Sequence, residues 1–292
     1  MCRLAGVSRA SFYRQWEEEE PHAAEMALRT AVQQAALEHR VYGYRRVLET
    51  VRQAGYQVGK ERVQRWLRED NLLAIRRRKF VVTTDSAHRY RIYPNLAEHL
   101  ELSDINQLWV ADLTYVRLQR EFAFVAVVLD AYSRRVVGWE VGRHLDGNLA
   151  LGALERAIRQ RQPQAGLVHH SDQGVQYASR AYVERLAQIR AVSSMSRAGR
   201  PWENGKCESF IKTLKQEELD ARPYANLEQL REHVEEFLEQ IYNRQRMHSA
   251  LGYRTPEQFE QAHARAGNRA PLPGWRPATL CLPSSEECAP GA

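Results

Sequence analysis

Apolar residues follow two different rhythms along this chain. Between residues 23 and 71 they recur at helical spacing. Val47, Leu48 and Val51 form a stripe in a helix predicted over 45–54, and Val63, Trp66 and Leu67 form another over 60–70. Lys60, Arg62, Arg65 and Arg68 lie mostly off that second stripe. A short connection with glycines at 55 and 59 joins the two helices. This outline fits a helix-turn-helix with a basic second helix, and it equally fits an ordinary helical hairpin with a charged exterior. Residues 1–20 predict two short helices broken at Gly6, with Ser8 as N-cap, ended by the four Glu at 17–20 and Pro21. Residues 76–104 read as a basic linker that opens with Arg76, Arg77, Arg78 and Lys79.

At Gln107 the rhythm shortens. Segments 108–118, 122–129 and 135–141 are rich in Val, Phe, Tyr and Trp and predict three antiparallel strands. Asp146 can cap a helix over 148–161. Residues 166–170 then predict a fourth strand, 182–188 a helix and 189–194 a fifth strand. A polar loop covers 196–201, helix resumes at Trp202, and an amphipathic helix spans 227–243. The order βββαβαβα predicts an α/β domain, a mixed five-stranded sheet with flanking helices, preceded by an all-α region. The expected boundaries are a helical unit at 1–75, the linker at 76–104, the sheet domain at 105–262, and a Pro-, Gly- and Ala-rich, loosely ordered tail at 263–292.

Composition narrows the class. With 292 residues, 43% of them hydrophobic, the chain can bury a core, which excludes wholesale disorder. Four Cys are too few for a disulfide framework, no apolar run nears the roughly 20 residues of a membrane span, and residues 1–10 carry no secretory signal. A soluble cytoplasmic protein is expected. The net charge of +6 sits entirely in residues 1–100, which hold 18 basic and 12 acidic residues; the rest hold 24 of each. That excess suits a polyanion partner, and it also suits a merely solvated surface.

Three carboxylates stand out by position. Asp112 lies inside the first strand, Asp172 follows the fourth at its carboxyl end, and Glu208 lies on a helix. If strands one and four are neighbours, the two Asp meet at one sheet edge, and a crossing helix can bring Glu208 to them. Such a trio repels itself unless cations neutralise it. Carboxylate oxygens suit hard ions such as Mg²⁺, and two such ions can activate an attacking oxygen and stabilise a leaving one. Phosphodiester cleavage or transfer follows. Taken singly, each acid would read as a surface or capping residue, as Asp130 and Glu203 do: Asp130 structural, Glu203 solvated.

The stretches Trp109-Val110-Ala111-Asp112, His170-Ser171-Asp172-Gln173-Gly174 and Glu208-Ser209-Phe210-Ile211-Lys212-Thr213-Leu214-Lys215 resemble the core motifs of bacterial insertion-sequence transposases of the IS3 type. These belong to the DDE transposase and retroviral integrase superfamily. Thirty-five residues separate Asp172 from Glu208 (208 − 172 − 1), the family's spacing. Residues 242–253, followed by Thr255-Pro256, are similar to its C-terminal signature, and Tyr42-Gly43-Tyr44-Arg45-Arg46 to its upstream helix-turn-helix. The resemblance covers about residues 1–262.

It implies an RNase H-like core in which Asp112, Asp172 and Glu208 are catalytic and hold two Mg²⁺ or Mn²⁺ ions, cutting at an element's end and then joining the freed 3′-hydroxyl to new DNA. It implies that Lys215 contacts the DNA end. Seven helical steps from Glu208 return to nearly the same face, and Lys212 either shares that role or pairs with Glu208. His170 could orient a metal ligand or touch DNA, and a structural histidine is the competing reading. Trp109 and Trp202 are expected to pack in the core. Neither the two histidines nor Cys207 has zinc-site spacing. Expected partners are the DNA ends and target, further copies of the chain on DNA, and the product of an upstream reading frame. A DNA-binding protein without the chemistry and a plain nuclease are the alternatives. The three acids with Lys215 weigh against the first, and the basic helical region with the 242–253 signature weighs against the second.

Replacing Arg76, Arg77, Arg78 and Lys79 by Ala is expected to lower affinity for all DNA sequences alike and to flatten its salt dependence, read from binding titrations at several salt concentrations. An unchanged slope would reduce the run to a connector.

Overall fold

The computed structural model describes residues 23–74, 91–119 and 121–266. The chain divides into two compact units, Met1–Arg76 and Arg77–Ala292.

In the first unit three helices pack together: α1 (Ala23–Glu38), α2 (Tyr44–Gln53) and α3 (Lys60–Glu69). The stripes read from the sequence become its core. Val47 and Val51 of α2 and Val63, Trp66 and Leu67 of α3 are buried, and Leu28 and Val32 of α1 close over them. Asp70 ties the end of α3 back to α1, accepting from Arg29 Nε at 3.2 Å and from Gln33 Nε2 at 2.9 Å. The guanidinium beside it holds the Asp70 carboxyl below its usual range. Lys60, Arg62, Arg65 and Arg68 are all exposed along α3. Residues 1–22, including the two helices expected there, and the basic run 76–79 lie outside the described residues.

The second unit is built on five strands: β1 (Leu108–Arg117), β2 (Phe122–Asp130), β3 (Val136–Gly142), β4 (Val168–Ser171) and β5 (Val192–Met195), in the order β3-β2-β1-β4-β5. The first three are antiparallel neighbours, while β4 runs parallel to β1 and β5 parallel to β4. The fifth strand begins later than expected, because Arg190 takes a left-handed conformation (φ 55°) in the turn that ends the preceding helix.

Alternation along the strands sends side chains to two cores. Leu108 and Val110 of β1 and Val168 of β4 face α7 (Gly205–Leu214) and α8 (Leu227–Glu236) through Cys207, Phe210, Leu214, Leu230 and Val234. Trp109, Ala111, Ala126 and Val128 face α4 (Gly147–Arg161), α5 (Val175–Ala178) and α6 (Arg180–Gln188). Asp146 caps α4, as expected, by accepting from Leu149 N at 3.1 Å. The sequence pattern missed α5, and it missed two π-helical turns, Lys215–Leu219 after α7 and Phe237–Tyr242 after α8. A last helix, α9 (Pro256–Ala266), runs past residue 262, so helical structure continues beyond the expected end of the sheet domain. Glu260 on α9 is bonded by both Arg135, at 3.1 Å, and Arg161.

Gly138 shows how closely α4 lies on β3. A Cβ there would stand 2.1 Å from the Ala153 carbonyl oxygen and 2.8 Å from the Ala157 backbone nitrogen. Both obstacles include helix backbone that cannot rotate away. Gly138→Ala is therefore expected to destabilise the fold by at least about 2 kcal/mol in chemical denaturation. A change within error would mean that α4 can lift off the sheet freely.

Candidate active site

The site is assembled by parity and register. Asp112 has the same parity on β1 as Leu108 and Val110, so it projects from the face that α7 covers. Val110 pairs with His170 of β4, and two residues further along each parallel strand stand Asp112 and Asp172. The parallel pairing thus carries the two acids to matching places on neighbouring strands. On the covering helix, Cys207, Phe210 and Leu214 point into the sheet, with Cys207 Sγ 3.8 Å from the Val110 carbonyl. Glu208, next to Cys207, is half-buried at the margin of that contact.

Electrostatics report the convergence. The Asp112 carboxyl is pushed up from 3.8 to about 7, first by burial, then by the nearby charge of Asp172 and more weakly by that of Glu208. A bond from Leu113 N at 2.7 Å and the cation of Lys215 oppose the rise. Burial also raises Glu208. Among the described residues, no group of three or more His, Cys, Asp or Glu side chains is close enough to hold a metal ion. The three acids are electrostatic neighbours without being drawn into a closed ligand set.

Several residues fix this edge. Asp172 Oδ1 accepts from Gly174 N at 3.0 Å, and a Cβ on Gly174 would meet that same oxygen at 3.0 Å and Gln176 Oε1 at 2.9 Å. Gly174 itself has an ordinary negative φ. Asn204 donates from Nδ2 to the Ala111 carbonyl at 3.0 Å, just where the β1–β4 ladder has ended, and so pins the 3-10 turn Pro201–Asn204 beside Asp112. Glu203 accepts from Arg197 N at 2.8 Å, Arg197 Nε at 2.6 Å and Asn95 Nδ2 at 2.9 Å. The Arg197 guanidinium holds its carboxyl down to about 2. His170 bonds through Nδ1 to Ser194 Oγ (2.8 Å), and that oxygen also accepts from Leu96 N (2.9 Å). Burial keeps His170 neutral, with its pKa near 4.

Other expected residues fare differently. Lys215 is half-buried, its Nζ 4.5 Å from the centre of the Tyr115 ring, and it opens a π-helical turn. Lys212 is exposed and forms no ion pair with Glu208 among the described residues. Asp130 is structural, as expected: it is buried and accepts from the backbone nitrogens of Asn106, Tyr132 and Ser133. Two expectations are corrected. The Glu203 side chain is only 4% exposed, because a charge accepting several hydrogen bonds no longer needs water. Trp202 is 68% exposed, on a turn held by the polar bonds of Glu203 and Asn204, whereas Trp109 is buried as expected. Asn204 and Tyr177 escaped the sequence reading. The Tyr177 hydroxyl is buried without a hydrogen-bond partner and feels the charges of both Asp112 and Asp172.

Comparison with known proteins fits this arrangement. Two models described as "Integrase core domain" match residues 103–201 and 190–256, and one described as "HTH-like domain" matches residues 23–80. The chain is 36% identical over 268 residues to the insertion element IS600 uncharacterized 31 kDa protein of Shigella sonnei, covering 90% of this chain and 98% of that one. It is 32% identical over 266 residues to transposase InsF for insertion sequence IS3A of Escherichia coli K12, covering 89% and 92%. Among solved structures it is similar to a simian T-cell lymphotropic virus intasome in complex with PP2A regulatory subunit B56 gamma, at 15% identity and a TM-score of 0.49, over 84% of this chain and 80% of that one. An integrase core preceded by an HTH-like unit defines a DDE-class transposase, a polynucleotidyl transferase acting on DNA. The chain belongs to the IS3 family of insertion-sequence transposases.

The raised Asp112 carboxyl has a consequence for stability. Below about pH 4 the group is protonated folded or unfolded and has no effect. As pH rises toward 7 the unfolded chain ionises first, and stability is lost until the folded group also ionises. Asp112→Asn removes that loss. It is expected to raise the melting temperature by several degrees at pH 8 in a chelating buffer and to leave it unchanged near pH 4. Equal melting at pH 8 would mean that Asp112 is not under strain.

Proposed function

We propose that Asp112, Asp172 and Glu208 are the catalytic residues of this transposase and that together they hold two divalent ions, Mg²⁺ or Mn²⁺. The observation carrying this reading is the pushed-up Asp112 carboxyl: burial beside two further acids strains its negative charge, and a cation would relieve it. The donor set suits a hard ion, being all oxygen. Bound there, such ions would polarise phosphodiester oxygens and lower the cost of forming an attacking hydroxide or alkoxide.

The chain's own residues would do the remainder. Asp112 and Asp172, on adjacent strands, fix one wall. Asn204 and Gly174 hold that wall in place. Lys215, held against Tyr115, presents a cation to the phosphate backbone at the DNA end, and Lys212 adds a solvent-facing one. No side-chain nucleophile is needed: water attacks in the cutting step, and the freed 3′-hydroxyl in the joining step. In the first unit, Lys60, Arg62 and Arg65 on the exposed face of α3 would grip the phosphate backbone of the element's ends, with Arg76, Arg77, Arg78 and Lys79 following it onward. The proposed division of labour is DNA recognition by 1–75, a basic linker at 76–104 and the catalytic core at 105–262. Work on two ends and a target calls for further copies of the chain on the DNA, and the upstream reading-frame product is a candidate member of that assembly. A cytoplasmic, DNA-associated location goes with this reading; no helix among the described residues is long and apolar enough to cross a membrane.

Asp112→Asn, Asp172→Asn and Glu208→Gln are each expected to abolish joining of a pre-cut 3′-hydroxyl end in Mg²⁺ while DNA affinity changes less than about twofold. Joining that survives in any one of them removes that residue from the centre. Cutting without joining in the unaltered protein would favour a nuclease.

A further inference from the structure

Trp202 is out of place by the ordinary logic of burial. Trp66, Trp109 and Trp139 are at most 3% exposed, yet the Trp202 indole stands 68% in solvent. An apolar ring of that size gains roughly 2 kcal/mol or more when removed from water, so leaving it out is costly unless something else covers it. Its exposure does not come from a loose loop. The next residue, Glu203, is clamped by Arg197 and Asn95, and the one after, Asn204, is bonded to the Ala111 carbonyl. Ala111 adjoins Asp112, and Trp202 precedes Glu208 by six residues. The ring is thus presented from a fixed turn tied to the element of one acid and leading directly into the helix of another. Between residues 197 and 215 the chain carries five basic side chains and two acidic ones, a frame suited to a phosphodiester backbone.

We infer that Trp202 is a stacking platform for the unpaired terminal base of the DNA end. The inference rests on reading Asp112, Asp172 and Glu208 as the strand-transfer centre. A terminal base pair is the easiest in a duplex to open, and an indole face accepts any base. Stacking would hold the frayed nucleotide aside and orient its 3′-hydroxyl. Selection for a true end over internal duplex follows, since only an end supplies a loose base at small cost. Arg197 contributes indirectly, by holding the turn through Glu203.

The test is a binding cycle with the full chain in EDTA, so that metal binding is not involved. Wild type, Trp202→Ala and Trp202→Phe are each titrated with two duplexes that differ only in having an intact or an abasic 3′-terminal nucleotide. Trp202→Ala is expected to lose roughly 5- to 150-fold in affinity for the intact end and nothing for the abasic one, and Trp202→Phe to stay near wild type. Equal losses on both duplexes, no loss on either, or loss accompanied by a change in oligomeric state in sedimentation would overturn the inference. Asp112→Asn should retain the whole cycle while failing to join, so the outcome for Trp202 is separate from the outcome for the carboxylates.

Discussion

Three carboxylates brought to one edge of a sheet repel each other, and much of the local structure resists that repulsion. Asp112 cannot retreat into the sheet, because its backbone is held in β1 by the pairing with Val127 of β2. Asp172 is tied in place, because its oxygen is bonded to the amide of Gly174. Glu208 rides on a helix fastened by Cys207, Phe210 and Leu214. The opposing free energy comes from the apolar core on that face, while the acids themselves subtract from stability. On the reading proposed above, function is kept at the expense of the fold.

Around this strained edge lies a polar scaffold that is unusually well connected for loop structure. Segment 95–98 bonds to the turn at 203 and to the loop at 197, and Ser194 links that segment to His170 on β4. None of these groups need touch substrate. Their bonds replace hydrophobic contacts in the turn preceding Glu208, which buries its polar side chains Glu203 and Asn204 and leaves Trp202 outside.

The sheet was legible because strand propensity, alternation and chain punctuation agreed. Val, Phe and Trp cluster in segments 108–118 and 122–129, and the strands fall close to those limits. The three acids were legible through their motifs and the distance along the chain from 172 to 208. What escaped depends on three-dimensional partners. A π-helical turn opening at Lys215 leaves no mark in composition. The exposure of Trp202 and the burial of Glu203 invert their usual tendencies, because Arg197 and Asn95, distant in sequence from one another, happen to meet there. Asn204 looked like any loop asparagine until the end of β4 left the Ala111 carbonyl for it to take.

The buckle between α9 and the sheet has a further meaning. Arg135 and Arg161 are 18% and 12% exposed at the side chain, and Glu260 forms an ion pair with each of them. A shortened polypeptide stopping before this glutamate would strand two guanidinium groups in a poorly hydrated crevice, where uncompensated cations are expensive. A boundary for the sheet unit drawn before residue 260 would therefore cut through an ion-pair junction.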